Sequence, residues 1–220
     1  FYKCSNLVFV KVTFLQLFFF KILRILKKYF NELSSDQEEK FEALFDLYFK
    51  WNSKINIISR KDFDNFYERH VLHSLAISMI LKFNSNDSIL DVGTGGGFPG
   101  IPLAILFPNT HFYLLDKTKK KIKVVNSVIK SLELGNVVTL NVNVNDFSKK
   151  VDFIVARAVT NMKDFHYLVK NKSTKGIFYL KGGDLSYEKT KFKNVQFYDI
   201  NKFFDEPFFE TKKIVFIPTC

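Results

Sequence analysis

The stretch from Ser88 to Ile105 constrains the fold most, because it joins two apolar runs through a dense glycine cluster. The first run, residues 89–92, is interrupted only by Asp91, which suits a buried parallel strand. Pro99 and the second apolar run suit the first turn and the buried face of a helix. Glycine lets a backbone turn sharply and lie against a ligand, and five glycines lie between the runs: Gly93, Gly95, Gly96, Gly97 and Gly100. The stretch predicts a strand, a ligand-binding loop and a helix.

The glycine spacing fits two kinds of cofactor site. Gly95, Gly97 and Gly100 match the G-x-G-x-x-G spacing of dinucleotide sites. Gly93, Gly95 and Gly97 match the G-x-G-x-G spacing of methyltransferases that use S-adenosylmethionine. Asp91 favours the second kind, because a carboxylate repels a pyrophosphate but suits an ammonium and a sulfonium. We therefore expect Asp91 and these three glycines to bind S-adenosylmethionine, and an NAD-dependent oxidoreductase is the alternative.

Net charge and cysteine content indicate the kind of partner and the cellular compartment. The 220 residues carry a formal net charge of +11, which fits a polyanionic partner such as nucleic acid or an anionic membrane. Cys4 and Cys220 lie at opposite ends without a C-x-x-C partner, which favours a reducing compartment. His70 and His73 share a helix face, but no third ligand has suitable spacing, so we expect no metal.

The chain is predicted to have three parts. Residues 1–21 are apolar and basic, and their apolar run is shorter than a membrane-spanning helix needs. They are interpreted as a poorly defined extension or an extra helix, with a basic amphipathic helix on a membrane surface as the alternative. Residues 22–84 form a helical part, with one helix over 38–52 capped by Ser34, Ser35 or Asp36 and a second from Asp62 to Leu81. Residues 85–220 form the cofactor-binding core.

Strands and helices alternate through the core, and two strands close it at the end. Such alternation predicts an α/β fold with a doubly wound, mostly parallel, seven-stranded sheet. The expected strands after the first cover residues 111–115, 137–142, 151–156, 176–180, 195–200 and 214–217.

Polar residues follow five of these strands, and doubly wound sheets bind ligands at the carboxyl ends of their strands. The residues are Asp91, Asp116, Asn145, Arg157 and Lys181. Asp116 lies 23 positions after Gly93, near the spacing at which an acidic residue binds a cofactor ribose. The five lysines within 117–123 are interpreted either as a solvated face or as a phosphate-contacting patch.

The glycine stretch resembles the signature of the bacterial 16S ribosomal RNA guanine-N7 methyltransferase family called RsmG or GidB. The resemblance rests on the Phe-Pro-Gly-Ile-Pro tail that begins at Phe98. It extends over residues 22–217 through Trp51-Asn-Ser-Lys-Ile-Asn-Ile-Ile-Ser, Glu68-Arg-His-Val-Leu-His-Ser-Leu, Ala156-Arg-Ala-Val and Tyr179-Leu-Lys-Gly.

This resemblance implies a class I methyltransferase (Rossmann-like) fold and a cytoplasmic enzyme that methylates N7 of a guanine in 16S rRNA. It implies that Gly93 and Phe98 line the cofactor, that Val144 and Asn145 lie by its adenine, and that Arg157 lies near cofactor and target base. Many members carry Glu where Asn145 stands, so the adenine contact falls to Asn145, to Asp146 or to the backbone.

The proposed chemistry needs alignment more than acid–base catalysis, because guanine N7 has a lone pair and no proton. Arg157 and Lys181 are the expected catalytic residues, placed at guanine O6 or at a phosphate. The expected partner is 16S rRNA within a ribosomal particle, bound by a monomer without stable membrane association. The alternatives are a methyltransferase for another substrate and a non-enzymatic protein that binds RNA or membranes.

Overall fold

A computed structural model describes residues 24–192 and 194–219. The predicted extension, residues 1–21, lies outside this part of the chain. The described residues contain a seven-stranded sheet: β1 (Ser88–Val92), β2 (His111–Leu115), β3 (Val137–Leu140), β4 (Val151–Arg157), β5 (Ser173–Gly182), β6 (Gln196–Asp199) and β7 (Lys212–Pro218).

The strands lie in the order β3-β2-β1-β4-β5-β7-β6. Neighbouring strands from β3 to β5 pair in parallel, and β7 runs antiparallel to both β5 and β6. The order reverses between β1 and β4, so the loops after these strands diverge and leave a crevice at the carboxyl edge. The predicted doubly wound, mostly parallel sheet with seven strands is confirmed.

Residues 24–29 are helical, and further along the described part of the chain lie α1 (Ser35–Asn52), α2 (Arg60–Phe63), α3 (Gly100–Leu106), α4 (Lys119–Ser131), α5 (Met162–Val169) and α6 (Ser186–Lys191). A further helix, which we call the composite helix, changes pitch along its length. It has π geometry over Tyr67–Leu72, α geometry over His73–Leu75 and 3-10 geometry over Ala76–Met79. Short 3-10 turns cover Val144–Asp146, Ile200–Lys202 and Pro207–Thr211.

Both faces of the sheet are buried, as the apolar strand sequences require. Ile89, Phe153 and Phe178 point to one face and pack with α1, α3, α4 and the composite helix. Leu90 and Ile154 point to the other face and pack with α5. The helices that precede β1 therefore share a core with one face of the sheet.

The N-terminal helices differ from the prediction in one place. Ser34 caps α1 as expected, since its hydroxyl accepts the Gln37 N–H at 3.2 Å and the Gln37 side chain accepts the Ser34 N–H at 3.0 Å. The single helix expected from Asp62 to Leu81 is wrong. The chain forms α2, breaks at residues 64–65 and resumes as the composite helix, a change of pitch that apolar spacing alone does not signal.

None of the helices within residues 24–192 and 194–219 combines the length and the apolar character that a bilayer-spanning segment needs.

Candidate functional site

The glycine loop adopts backbone conformations that other residues rarely adopt. Gly93, Gly95 and Gly97 have φ angles of 69°, 59° and 98°. A Cβ on Gly97 would lie 2.5 Å from Ile101 Cδ1, and a Cβ on Gly93 would lie 3.0 Å from a Val159 methyl group. The loop therefore needs glycine both for its backbone angles and for the space that a side chain would fill.

Asp91 anchors this loop from inside the protein. It is fully buried, and its Oδ2 accepts the Thr94 hydroxyl at 2.6 Å and the Gly100 N–H at 2.8 Å. Its Oδ1 has no hydrogen-bond partner within the described residues. Burial raises the pKa of Asp91 to about 7, although both hydrogen bonds oppose that shift. The residue predicted to meet the cofactor thus joins β1 to the start of α3.

The helical part of the chain holds the opposite side of the loop. Tyr48 of α1 is fully buried and donates its hydroxyl to the Gly96 carbonyl oxygen. Asn52 accepts the N–H groups of Ile57 and Ile58 at 2.9 and 3.0 Å. This turn places Ile57 where a Cβ on Gly96 would lie 2.3 Å from its methyl group. The loop is therefore clamped between the sheet and α1.

Asp116 lies at the carboxyl end of β2, beside the glycine loop. Its Oδ2 accepts the Gly95 N–H at 3.0 Å and its Oδ1 accepts the Thr118 N–H at 2.8 Å. The Lys121 ammonium lies 4.0 Å from Oδ2. A carboxylate has about four lone-pair sites, so each oxygen keeps capacity for a ligand hydroxyl.

A cavity of about 430 Å³, the first cavity, opens among the loops that follow β1 to β4. Its wall includes five of the predicted site residues: Gly93, Asp116, Val144, Asn145 and Arg157. The other predicted cofactor residues are not among its lining residues: Asp91, Gly95, Gly97, Phe98 and Asp146. Asp91 and Gly97 shape the loop behind the wall, and Asp146 is exposed.

Arg157 ends β4, and its guanidinium contacts the composite helix. Its Nη1 donates to the Arg69 carbonyl oxygen at 3.2 Å and its Nη2 to His70 Nδ1 at 3.0 Å. Its guanidinium carbon lies 5.1 Å from the centre of the Phe98 ring. Burial lowers the pKa of Arg157 to about 10, so it stays protonated at neutral pH. Phe98 thus contributes to the site through Arg157.

Tyr179 orders the loop that follows Arg157. Its hydroxyl accepts the N–H groups of Val159 and Thr160 at 3.0 and 2.9 Å and donates to the Thr160 carbonyl oxygen. Lys181 donates to the same carbonyl oxygen at 3.2 Å. Ala158 has a φ of 50°, which is uncommon for alanine. The loop between β4 and α5 is therefore held in one specific conformation.

A second cavity of about 430 Å³ lies on the other side of this loop. The composite helix and the ends of β4 and β5 contribute most of its wall, which contains Asp62, Arg69, His70, His73, Arg157, Ala158, Leu180, Lys181, Gly182, Phe208 and Lys212. The two cavities share Arg157 and Ala158. Lys181, predicted beside Arg157, lines only the second cavity.

A larger cavity, of about 510 Å³, lies near the amino ends of the strands, beside Asn136 and His111. Parallel α/β sheets bind ligands at the opposite edge, where the first and second cavities are. The described residues contain no group of three His, Cys, Asp or Glu side chains placed to hold a metal ion.

Several residues of the site were not predicted from the sequence. Tyr48, Asn52 and Tyr179 support its loops, and His70 positions Arg157. Their signals are weak, because a tyrosine at helical spacing is usually a core residue. Leu115 and Leu168 form an apolar part of the wall of the first cavity. In the sequence, such leucines are indistinguishable from ordinary core residues.

The sheet order, the glycine loop after β1 and the acidic residue after β2 define a class I methyltransferase fold. Two solved structures share this architecture at low sequence identity. A precorrin-6y C5,15-methyltransferase from Geobacter metallireducens matches with a TM-score of 0.53 and 14% identity, over 76% of this chain and 92% of that chain. A SAM-dependent methyltransferase from Aquifex aeolicus matches with a TM-score of 0.53 and 15% identity, over 71% of this chain and 93% of that chain.

Sequence comparisons give the family. Residues 37–212 match the family model for GidB, rRNA small subunit methyltransferase G. A ribosomal RNA small subunit methyltransferase G from Flavobacterium johnsoniae is 52% identical over 199 residues, which cover 87% of this chain and 95% of that protein. The protein of the same name from Christiangramia forsetii is 50% identical over 204 residues, which cover 89% of this chain and 97% of that protein. This chain belongs to the rRNA small subunit methyltransferase G family, as its resemblance predicted.

Proposed function

We propose that this protein transfers a methyl group from S-adenosylmethionine to N7 of one guanine in 16S rRNA. Family membership supports the reaction class and the rRNA substrate, and it speaks against the NAD-dependent alternative. The observation that carries the proposal is the first cavity, where Gly93, Asp116, Asn145 and Arg157 meet at the carboxyl edge of the sheet. The cytoplasmic location and the 16S target follow from the family resemblance.

The residues around the first cavity fit S-adenosylmethionine. Gly93 leaves room for close backbone approach, because it has no side chain facing Val159. Asp116 would bind the ribose hydroxyls with the lone pairs that its backbone contacts leave free. Val144 and Asn145 would border the adenine, and Asn145 is favoured over Asp146 because it lines the cavity. The cofactor roles of Asp91, Gly95, Gly97 and Phe98 rest on the loop that they shape.

Methyl transfer to guanine N7 requires mainly that the protein align the methyl group with the nitrogen. Bound S-adenosylmethionine supplies an electrophilic methyl group, and guanine N7 supplies a lone pair without a proton to remove. Holding two reactants in line is worth roughly 7–11 kcal/mol of the barrier. Arg157 borders both cavities and would orient the base through O6, and Lys181 would contact O6 or a phosphate.

The protein as a whole is proposed to act on folded RNA in a ribosomal particle, as a monomer. In this proposal residues 22–84 form a helical part that closes the site from one side. Residues 85–220 form the core that binds S-adenosylmethionine. The net charge of +11 supports an RNA partner, since cations that neutralise phosphates release counterions.

Calorimetry with the purified protein tests the cofactor. We expect S-adenosylmethionine and S-adenosylhomocysteine to bind saturably with one site per chain, and NAD not to bind. Asp116→Ala should weaken both interactions by roughly 10- to 100-fold, because it removes a charged hydrogen-bond acceptor from the ribose. Saturable NAD binding without S-adenosylmethionine binding would contradict the proposal.

A further inference from the structure

Three residues that line the second cavity each carry one buried side-chain nitrogen without a hydrogen-bond partner among the described residues: Arg69 Nε, His70 Nε2 and His73 Nε2. Only two other side-chain atoms within the described residues are in this state, on Asp91 and Thr219. Unpaired buried polar groups are unfavourable and rare in folded proteins. Because all three belong to residues that line one cavity, that cavity is a candidate site for a polar ligand that would complete their hydrogen bonds.

The proton on His70 can be placed from its neighbour. A guanidinium has donors and no acceptor, so the contact between Arg157 Nη2 and His70 Nδ1 requires that Nδ1 accept. Burial and the adjacent Arg157 lower the pKa of His70 to about 3, which keeps the imidazole neutral. Its single proton is therefore on Nε2, and His70 offers the cavity a hydrogen-bond donor.

His73 carries a hydrogen-bond acceptor, where His70 carries a donor. Its ring hydrogen-bonds the backbone of Arg69 in a way that favours protonation, so a ring nitrogen donates to the Arg69 carbonyl oxygen. Since Nε2 has no partner, the donating atom is Nδ1. Burial, chiefly, and nearby cations lower the pKa of His73, so the ring is neutral and Nε2 carries a free lone pair. The side chain is 6% exposed.

The rest of the cavity suits a nucleotide. The lining contains four cationic side chains and one carboxylate: Arg69, Arg157, Lys181, Lys212 and Asp62. The carboxylate of Asp62 is paired with Arg69 at 2.5 Å. The Phe208 ring lies in the wall, with the Lys212 ammonium 4.6 Å from its centre. The cavity meets the first cavity at Arg157 and Ala158, so a base held here would be next to the bound cofactor.

We propose that the second cavity receives the target guanine, with O6 accepting from His70 Nε2–H and N1–H donating to His73 Nε2. This assignment rests on the proposed function and adds the residues that select the base. Both nitrogen atoms are shielded in the free protein. The residues that cover them shift as the base enters, while the contacts to Arg157 and to the Arg69 backbone keep each ring in its tautomer. Adenine presents a donor at position 6 and an acceptor at N1, the reverse pattern, and is rejected.

The test variant is His73→Phe, which keeps a ring against Phe208 and Phe209 but removes the acceptor. We expect kcat/KM for methylation of small ribosomal subunits to fall by about 10- to 100-fold. The affinity for S-adenosylmethionine, measured by calorimetry, should stay within twofold of wild type. His73→Gln, whose amide oxygen replaces the acceptor, should recover most of the loss. The matched control is His166→Phe on α5, whose ring packs edge-on against Phe192 outside both cavities.

Base analogues at the methylated position test the hydrogen-bond pattern directly. Inosine keeps O6 and N1–H, and wild-type protein should methylate it nearly as well as guanosine. 2-Aminopurine keeps N7 but lacks O6 and N1–H, and its methylation should fall by about 100-fold or more. His73→Phe should discriminate less between guanosine and 2-aminopurine than wild type does.

The outcomes separate this inference from the proposed function. If wild-type protein binds S-adenosylmethionine but forms no N7-methylguanine, the proposed function fails. If wild type methylates guanine and His73→Phe shows wild-type kcat/KM and wild-type base preference, only the assignment of the second cavity is overturned.

Discussion

Single residues of the glycine loop determine whether the first cavity can form. Gly97 has a φ of 98°, and its missing Cβ leaves room for Ile101 and Tyr48. Gly97→Ala should lower the free energy of unfolding by about 2–4 kcal/mol, because strain and overpacking add. It should also weaken S-adenosylmethionine binding. Gly135→Ala is the matched control, since a Cβ there meets no atom within 4 Å. Equal stability of the two variants, measured by urea unfolding, would contradict this account of the loop.

Asp91 gives the protein a specific pH dependence. Its pKa rises from 3.8 in the unfolded chain to about 7 in the buried site, so the folded state binds the extra proton between these values. The stabilising contribution of protonated Asp91 is complete below pH 4 and is lost as pH rises to 7.

Asp91→Asn removes this titration and keeps an acceptor for Gly100. The unfolding free energy of wild type relative to Asp91→Asn should therefore fall by about 1 kcal/mol per pH unit between pH 5 and 7. Urea unfolding at several pH values checks this. Parallel stability curves for the two proteins would show that Asp91 does not titrate there.

Among the helices, α1 contacts the glycine loop directly through Tyr48. The Tyr48 hydroxyl donates to the carbonyl oxygen of Gly96, and both groups are buried. The helical part and the core are therefore coupled at the loop itself. Burial raises the pKa of Tyr48, so the hydroxyl keeps its proton at all working pH values.

Tyr48→Phe tests this coupling with the ring left in place. Leaving the Gly96 carbonyl unpaired should cost about 1–3 kcal/mol of unfolding free energy and should weaken S-adenosylmethionine binding. Tyr167→Phe, at an exposed tyrosine on α5, should change neither quantity. Thermal unfolding and calorimetry measure both effects, and a cofactor affinity equal to wild type would mean that α1 does not support the loop.

The elements also show how much sequence can predict. Apolar strands with a polar residue at the end placed Asp116, Asn145 and Arg157 at one edge of the sheet, since parallel strands align their carboxyl ends. The composite helix packs in the same core as α3, and its break and change of pitch have no counterpart in the spacing of its apolar residues. No local pattern encodes them.

The same limit explains the unpredicted half of the site. His70 and His73 are three residues apart, and from spacing alone they suggested only an incomplete metal site. Their roles depend on Arg157, which lies 87 positions from His70 in the chain and reaches it only through the fold. Contacts over such separations are set by tertiary structure.

At the scale of the whole molecule, charge should govern RNA binding. Lys117 and Lys121 line the first cavity, and Lys119, Lys120 and Lys123 are exposed nearby in the chain. Cations at the start of α4 oppose its helix dipole, which favours a role in binding anions over a role in stability.

Salt dependence of RNA binding tests this patch. Lys117→Ala with Lys120→Ala should reduce the slope of log affinity against log salt concentration by about 0.7–0.9 for each lysine that contacts a phosphate. Lys82→Ala with Lys130→Ala, which removes the same charge away from both cavities, should leave the slope nearly unchanged. Equal slopes for the two double variants would indicate that the patch is only a solvated face.

One labelling experiment tests directly whether this chain methylates N7 of a guanine in 16S rRNA, as we propose. Small ribosomal subunits from cells lacking the protein can be incubated with it and with methyl-labelled S-adenosylmethionine, and the labelled nucleotide then mapped. We predict a single N7-methylguanine in 16S rRNA, with a rate at least tenfold lower for Arg157→Ala, which loses its contacts to both cavities. Label on another atom or another RNA, or no transfer by a protein that binds S-adenosylmethionine, would contradict the claim.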